Sequence, residues 1–125
     1  MADQADVRRI ALSLPETVEN NERFAFSVLD KGKKKGFAWV WLERLEAKAP
    51  RVAQPAVLAV RVSGEDEKAA LIASSPLTFF TEPHYDGFPA VLVRLAEIDL
   101  DELEELLRDA WRIQAPRALV KQLDR

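Results

Sequence analysis

The sequence predicts an α+β domain, a single antiparallel sheet with helices packed against it, on three observations. A helical stripe opens the chain, a lysine- and glycine-rich turn joins two aromatic runs into a hairpin, and a branched apolar run is followed by alternating helical and extended segments. The order reads α-β-β-β-α-β-β-α-α, with about five strands in the sheet.

The first helix rests on Val7, Ile10, Ala11 and Leu14, whose spacing of three and four residues puts one apolar stripe on a helix. Asp3 is placed to cap it and Pro15 to stop it. Phe24 to Leu29 and Phe37 to Leu42 are too short and too aromatic for helices and read as strands. Between them, Asp30-Lys31-Gly32-Lys33-Lys34-Lys35-Gly36 reads as a turn with a basic tip. Residues 43–55, with Pro50 and Pro55, suit a loop or an exposed ribbon end. Ala56 to Val62 is a continuous branched strand bounded by Pro55 and Gly64.

Ser63 or Gly64 opens the next helix, whose first-turn acids Glu65, Asp66 and Glu67 suit the positive dipole end, and Pro76 ends it. Phe79 to Pro89 is punctuated by proline and glycine, hence a loop that includes a short strand, and Ala90 to Leu95 is the last strand. Asp99 with Glu102 three residues on forms a capping pair for a helix with Leu100, Leu103, Leu107, Ala110 and Trp111 on its apolar face. Pro116 starts a final short helix from Arg117 to Leu123.

A length of 125 residues suits one domain over 1–125, and 48% hydrophobic with 31% charged residues is a globular composition. The absence of cysteine excludes disulfides, a thiol nucleophile and cysteine-based metal sites. The first residues carry acids where a signal peptide carries bases, and no run approaches the ~18 apolar residues of a membrane span. A cytoplasmic protein with no membrane association is therefore expected, with a monomer as the default state. The net charge of −3 counts against a generally basic nucleic-acid binder. Residues 1–62 nevertheless hold 11 Lys/Arg against 8 Asp/Glu, and 63–125 hold 7 against 13, so a local basic face is compatible with the total.

Most enzyme chemistries find no support. Four glycines, at 32, 36, 64 and 87, form neither a P-loop nor a dinucleotide fingerprint, and no serine sits in a nucleophile elbow. The single histidine, His84, lies with Tyr85 and Asp86 in a candidate small-molecule pocket; the alternative is a loop histidine bonded to backbone. Zinc would need more nitrogen or sulfur ligands than this segment offers, so no metal, cofactor or catalytic residue is assigned. The acids Asp99, Asp101, Glu102, Glu104 and Glu105 read as the solvated side of a helix.

Two features carry a binding hypothesis. Lys31, Lys33, Lys34 and Lys35 at the hairpin tip can meet phosphates, and Arg44, Lys48 and Arg51 can widen the patch; lysines at such tips also serve solubility. Trp39 and Trp41 stand two apart on a strand, which gives them a common face with each other and with Phe37. The opposite face carries Ala38, Val40 and Leu42, so the pattern leaves open which side is core and which is an aromatic platform.

Several segments in order resemble the MmcQ/YjbR family. They are Ala11-Leu12-Ser13-Leu14-Pro15-Glu16, Phe24-Ala25-Phe26 before a Lys-Gly turn and Phe37-Ala38, and Phe79-Phe80-Thr81-Glu82-Pro83-His84-Tyr85-Asp86-Gly87. Val91 to Leu95, Ala110-Trp111-Arg112 and Ala115-Pro116-Arg117 complete the set. The resemblance implies a compact α+β domain of the kind likened to double-wing DNA-binding domains and to frataxin-like (CyaY-like) folds. It also implies DNA as a partner, while fold alone does not fix function. The expectation is thus a non-enzymatic binding module that contacts DNA through the hairpin tip. The alternatives are a protein–protein adaptor using a sheet face or the acidic helix, and a small-molecule pocket at His84.

Overall fold

The computed structural model describes residues 1–44 and 49–124. Helix α1 spans Gln4–Leu12, and its start is set locally. The Asp3 carboxylate accepts the Asp6 amide at 3.0 Å, while the Asp6 carboxylate accepts the Asp3 amide at 3.1 Å. This reciprocal box satisfies two amides that the first helical turn leaves without partners. The backbone bond from Asp3 holds the Asp6 carboxyl below its ordinary 3.8.

Six antiparallel strands follow: β1 Thr17–Glu19, β2 Ala25–Asp30, β3 Lys33–Glu43, β4 Val52–Arg61, β5 Phe79–Phe80 and β6 Ala90–Arg94. They form one sheet in the order β1-β2-β3-β4-β6-β5. The sixth strand beyond the expected five is β1, three residues too short to show a period. It is tied to α1 by a forked bond from Arg8 to Glu19, both atoms at 2.9 Å, which raises the Arg8 guanidinium above its ordinary value.

The hairpin differs from the expected seven-residue turn. Only Lys31 and Gly32 form the loop, with φ of 53° and 82°, and Lys33 to Lys35 already belong to β3. Two successive positive φ values match the twist of the flanking strands, so a two-residue turn closes the ladder at Asp30 and Lys33.

Two irregularities decide which face each side chain takes. Phe26 pairs with Ala38 but Ser27 pairs with Gly36, which leaves Phe37 as an extra residue on β3. Such a bulge turns two successive side chains to the same side. Phe37 and Ala38 accordingly both enter the core under the helices, and Phe37 does not share a face with Trp39 and Trp41 as simple alternation implies. Farther along, Val40 pairs with Leu58 but Trp41 with Gln54, and Pro55 falls in the skipped stretch. Proline has no amide to give a ladder, and the irregularity accommodates it inside β4 instead of ahead of the strand. The extended ends of β3 and β4 replace much of the loop expected over 43–55; Lys48 lies outside the described residues.

Helices α2 (Glu65–Ser74), α3 (Leu100–Gln114) and α4 (Arg117–Leu123) join α1 on one side of the sheet. The core there includes Phe26, Val28, Phe37, Leu58, Val60, Val91 and Val93 from strands and Leu103, Leu107 and Trp111 from α3. Asp99 caps α3 by accepting the Glu102 amide at 2.8 Å. Trp111 is fully buried, and its indole N–H donates to the Pro15 carbonyl at 2.9 Å, so packing and polar satisfaction coincide at the centre of the core.

Candidate functional site

Among the described residues, the sheet's second face has no α-helix on it. Alternation from the bulge onward sends Trp39 and Trp41 of β3, Val57 and Ala59 of β4, and Ala90 and Leu92 of β6 to this side, where Phe80 and Tyr85 join them. Edge-to-face contacts connect the rings, with Trp41 and Phe80 centroids 5.6 Å apart, Trp39 and Phe88 6.2 Å, and Tyr85 and Phe88 6.1 Å. The cover is a single segment, residues 81–89, which contains a 3₁₀ turn at Pro83–Tyr85. A glycine at position 87 allows its φ of 77°, and the chain turns there to bring Phe88 back over the sheet.

Lys68 holds that segment in place. It is 2% exposed, and its ammonium donates to the backbone carbonyls of Tyr85 and Phe88. A buried ammonium is tolerated only where acceptors replace its water, and these two carbonyls supply them. Lys68 lies on α2, so the helix-side layer reaches past the sheet to position the loop.

The segment leaves a cleft beside Trp39. One compartment, of about 290 Å³, is lined by Trp39, His84, Tyr85 and Phe88. A second, of about 250 Å³, shares Trp39, His84 and Tyr85 and adds Arg23, Leu42 and Arg51. The Trp39 indole N–H donates to the Tyr85 hydroxyl at 3.1 Å, which leaves the hydroxyl proton free to donate in turn. Arg51 donates one nitrogen to the Leu42 carbonyl at 3.1 Å and approaches His84 Nδ1 at 3.4 Å. A guanidinium only donates, so a hydrogen bond here requires Nδ1 as the acceptor, which is the tautomer with the ring proton on Nε2. Arg94 lies over the Phe80 ring at 4.1 Å, and Arg61 over Phe88 at 5.9 Å, which adds cations around the aromatic patch. Several polar atoms bordering it, Trp41 Nε1, Arg61 Nε, Thr81 Oγ1 and Glu82 Oε1, are buried without a partner among the described residues.

The residues singled out in the sequence are redistributed by this geometry. Lys34 pairs with Leu29 and takes the aromatic face. Lys33 and Lys35 take the other face with Asp30, and Lys35 is bonded to Asp30 at 3.1 Å. Lys31 sits in the turn and Arg44 is exposed beyond β3. Trp39, Arg51, His84 and Tyr85 meet in the cleft, joining members of two separate candidate sets. Asp86 does not join them; it lines a different cavity of about 480 Å³ with Glu65, Lys68, Ile72 and Thr81.

Arg23, Phe88 and Lys68 were missed. Phe88 carried a signal, an aromatic between Gly87 and Pro89, whereas Arg23 in a polar loop and Lys68 amid helical acids carried none. The acids Asp101, Glu102, Glu104 and Glu105 are exposed on α3. Among the described residues, no group of three or more His, Asp or Glu is gathered closely enough to hold a metal ion. No described helix is long and apolar enough to cross a membrane.

Known proteins share this architecture. The crystal structure of Deinococcus radiodurans protein DR2400, with a DUF419 family domain, superposes with a TM-score of 0.71 over 99% of this chain and 89% of that one, at 21% sequence identity. That likeness bears on the fold alone. Uncharacterized proteins of Mycobacterium tuberculosis and Mycobacterium bovis are 58% identical over 65 residues, 52% of this chain and 50% of each relative. The chain thus matches the curated relatives over about half their length. The family model YjbR matches residues 12–113, from the end of α1 through nearly all of α3, and the chain belongs to the YjbR family.

Proposed function

We propose that the protein is a cytoplasmic, non-enzymatic module that binds nucleic acid with the aromatic face of its sheet, not with the hairpin tip alone. The observation that carries this reading is the alignment of Lys34, Trp39 and the Arg51–His84 pair along the one sheet face without a helix. From Lys34 to Trp41 that line runs about 20 Å at the usual ~3.3 Å rise per strand residue, which matches several nucleotides of backbone. Ser27 and Gly36 lie between the lysine and Trp39, and Ala25 lies beside Trp39, which keeps the path shallow. Cations at both ends meet phosphates, and ring surface between them meets bases without demanding a sequence. The net charge of −3 is compatible with this because the contact is local. The likeness of the family to double-wing DNA-binding domains points the same way.

The test is fluorescence-anisotropy titration of labelled single- and double-stranded DNA at low and physiological salt. Lys34→Glu and Arg51→Glu should each weaken binding and reduce the salt slope by about one. A Lys33→Ala/Lys35→Ala double variant should leave affinity nearly unchanged. No binding to either DNA at low salt would sink the proposal.

A further inference from the structure

The cleft next to Trp39 is concave, and that shape limits what kind of nucleic acid it can take. We infer that it is a one-nucleotide pocket, holding a single unstacked base against Trp39 and Phe88 with the attached phosphate on Arg51 and Arg23. The inference rests on the nucleic-acid reading but names a ligand that duplex DNA cannot supply.

Size, lining and charge support it together. The two compartments, of about 290 and 250 Å³, share three residues and each lies just below the ~300–1,000 Å³ typical of small-molecule sites. That is room for one base and its phosphate, not for a base pair. The inner wall is aromatic: Trp39 and Phe88 offer ring surface, and Phe88 remains 41% exposed although it packs on Tyr85 and Trp39. Base stacking on such rings is worth about 1–3 kcal/mol and tolerates any base. The outer compartment adds two guanidiniums, of which Arg51 is already oriented by the Leu42 carbonyl and His84. A guanidinium held in this way forks onto phosphate with little further ordering.

Between wall and rim stand two further donors. The Tyr85 hydroxyl, having accepted from Trp39, has its own proton to give. With Nδ1 facing Arg51, the tautomer that hydrogen-bonds it presents the Nε2 proton to the cleft. Base edges and sugar oxygens are acceptors for both. In a duplex the bases are stacked and paired, and extruding one costs a few kcal/mol, so single strands, strand ends and free nucleotides are the favoured ligands.

The experiment is a titration of the full chain with adenosine 5′-monophosphate, followed by the indole N–H signals in a nitrogen–proton NMR spectrum. The Trp39 signal should shift while that of the buried Trp111 stays fixed. Arg51→Gln should weaken the nucleotide at least tenfold and leave adenosine, which has no phosphate, within about twofold. Lys34→Glu, about 16 Å from Trp39 by strand rise, should leave the nucleotide unaffected while weakening oligonucleotides. The nucleotide should also displace short oligothymidylate from the wild-type protein.

Oligonucleotide binding that the nucleotide neither competes with nor reproduces overturns the pocket and leaves the nucleic-acid reading standing. Nucleotide binding at Trp39 without oligonucleotide binding keeps the pocket and overturns that reading. If neither ligand moves the Trp39 signal or the anisotropy, both fall.

Discussion

The two faces of the sheet use the same strands and are closed in opposite ways. On one, α1 and α3 seal a continuous apolar core whose largest member, Trp111, is fully buried with its N–H satisfied. On the other, a single segment pinned by Lys68 half-covers a ring cluster, and four neighbouring polar atoms lack partners among the described residues. The first arrangement is what stability demands, since apolar area leaves water and the indole N–H at its centre is paired. The second forgoes both, and cavities with unpaired polar groups are where ligands bind. In the proposed reading, stability and binding are therefore divided between the two sides of one sheet.

The sharpest way to break this comparison is to truncate one tryptophan on each side. Trp111→Ala should cost about 3–5 kcal/mol, because it leaves a large cavity and an orphaned carbonyl. Trp39→Ala, at a partly buried position, should cost no more than about 1–2 kcal/mol while abolishing nucleotide binding. Urea denaturation read by circular dichroism measures both, and equal losses would mean that the ring cluster is a second core.

The next largest effect belongs to the clamp. Lys68→Met keeps the side-chain volume and removes both donors, which should cost about 1–3 kcal/mol. Amide exchange should accelerate at Phe88, whose N–H donates to Tyr85, and remain slow through α3. Uniform acceleration would place Lys68 in the global core instead.

Smaller effects distinguish the lysines of the hairpin. Lys35→Ala removes a solvent-exposed pair with Asp30 and should change stability by less than about 0.5 kcal/mol. Lys34→Ala should be equally mild for stability and should weaken DNA binding, whereas Lys35→Ala should not.

The smallest effect concerns α1. Asp6 has its folded-state pKa lowered from 3.8, chiefly by the backbone bond from Asp3. Its contribution is fully present above the unfolded value and disappears as the pH falls through the lowered one. An Asp6→Asn variant should therefore lose a small amount of stability at neutral pH and match the wild type at the acid end, which flattens the acid limb of a stability-against-pH curve.

Helix boundaries were legible in the sequence because their determinants are local. Asp3 and Asp99 accept amides three residues on, and Pro116 sits directly ahead of Arg117–Leu123, all within one turn of chain. Strand ends were less legible: β3 and β4 extend beyond the expected runs because pairing with each other sustains residues whose own propensity is weak. The site was legible only in pieces. His84, Tyr85, Trp39 and Arg51 were each singled out, but nothing in their spacing joins them, since Trp39 and Tyr85 meet across 46 positions of chain.

What the sequence determined by itself is the α+β class, the order of elements apart from the three-residue β1, and the caps, all consequences of short-range periodicity and hydrogen bonding. The tertiary structure alone decided which face the helices cover. Both sides of β3 are apolar, so alternation carries no preference, and the bulge at Phe37 is visible only in the pairing with Phe26 and Ser27. That one extra residue sends Phe37 into the core and leaves Trp39 and Trp41 together on the other face. The buried Lys68, drawn across the molecule by two backbone carbonyls, then supplies the cover that turns a sheet face into a cleft.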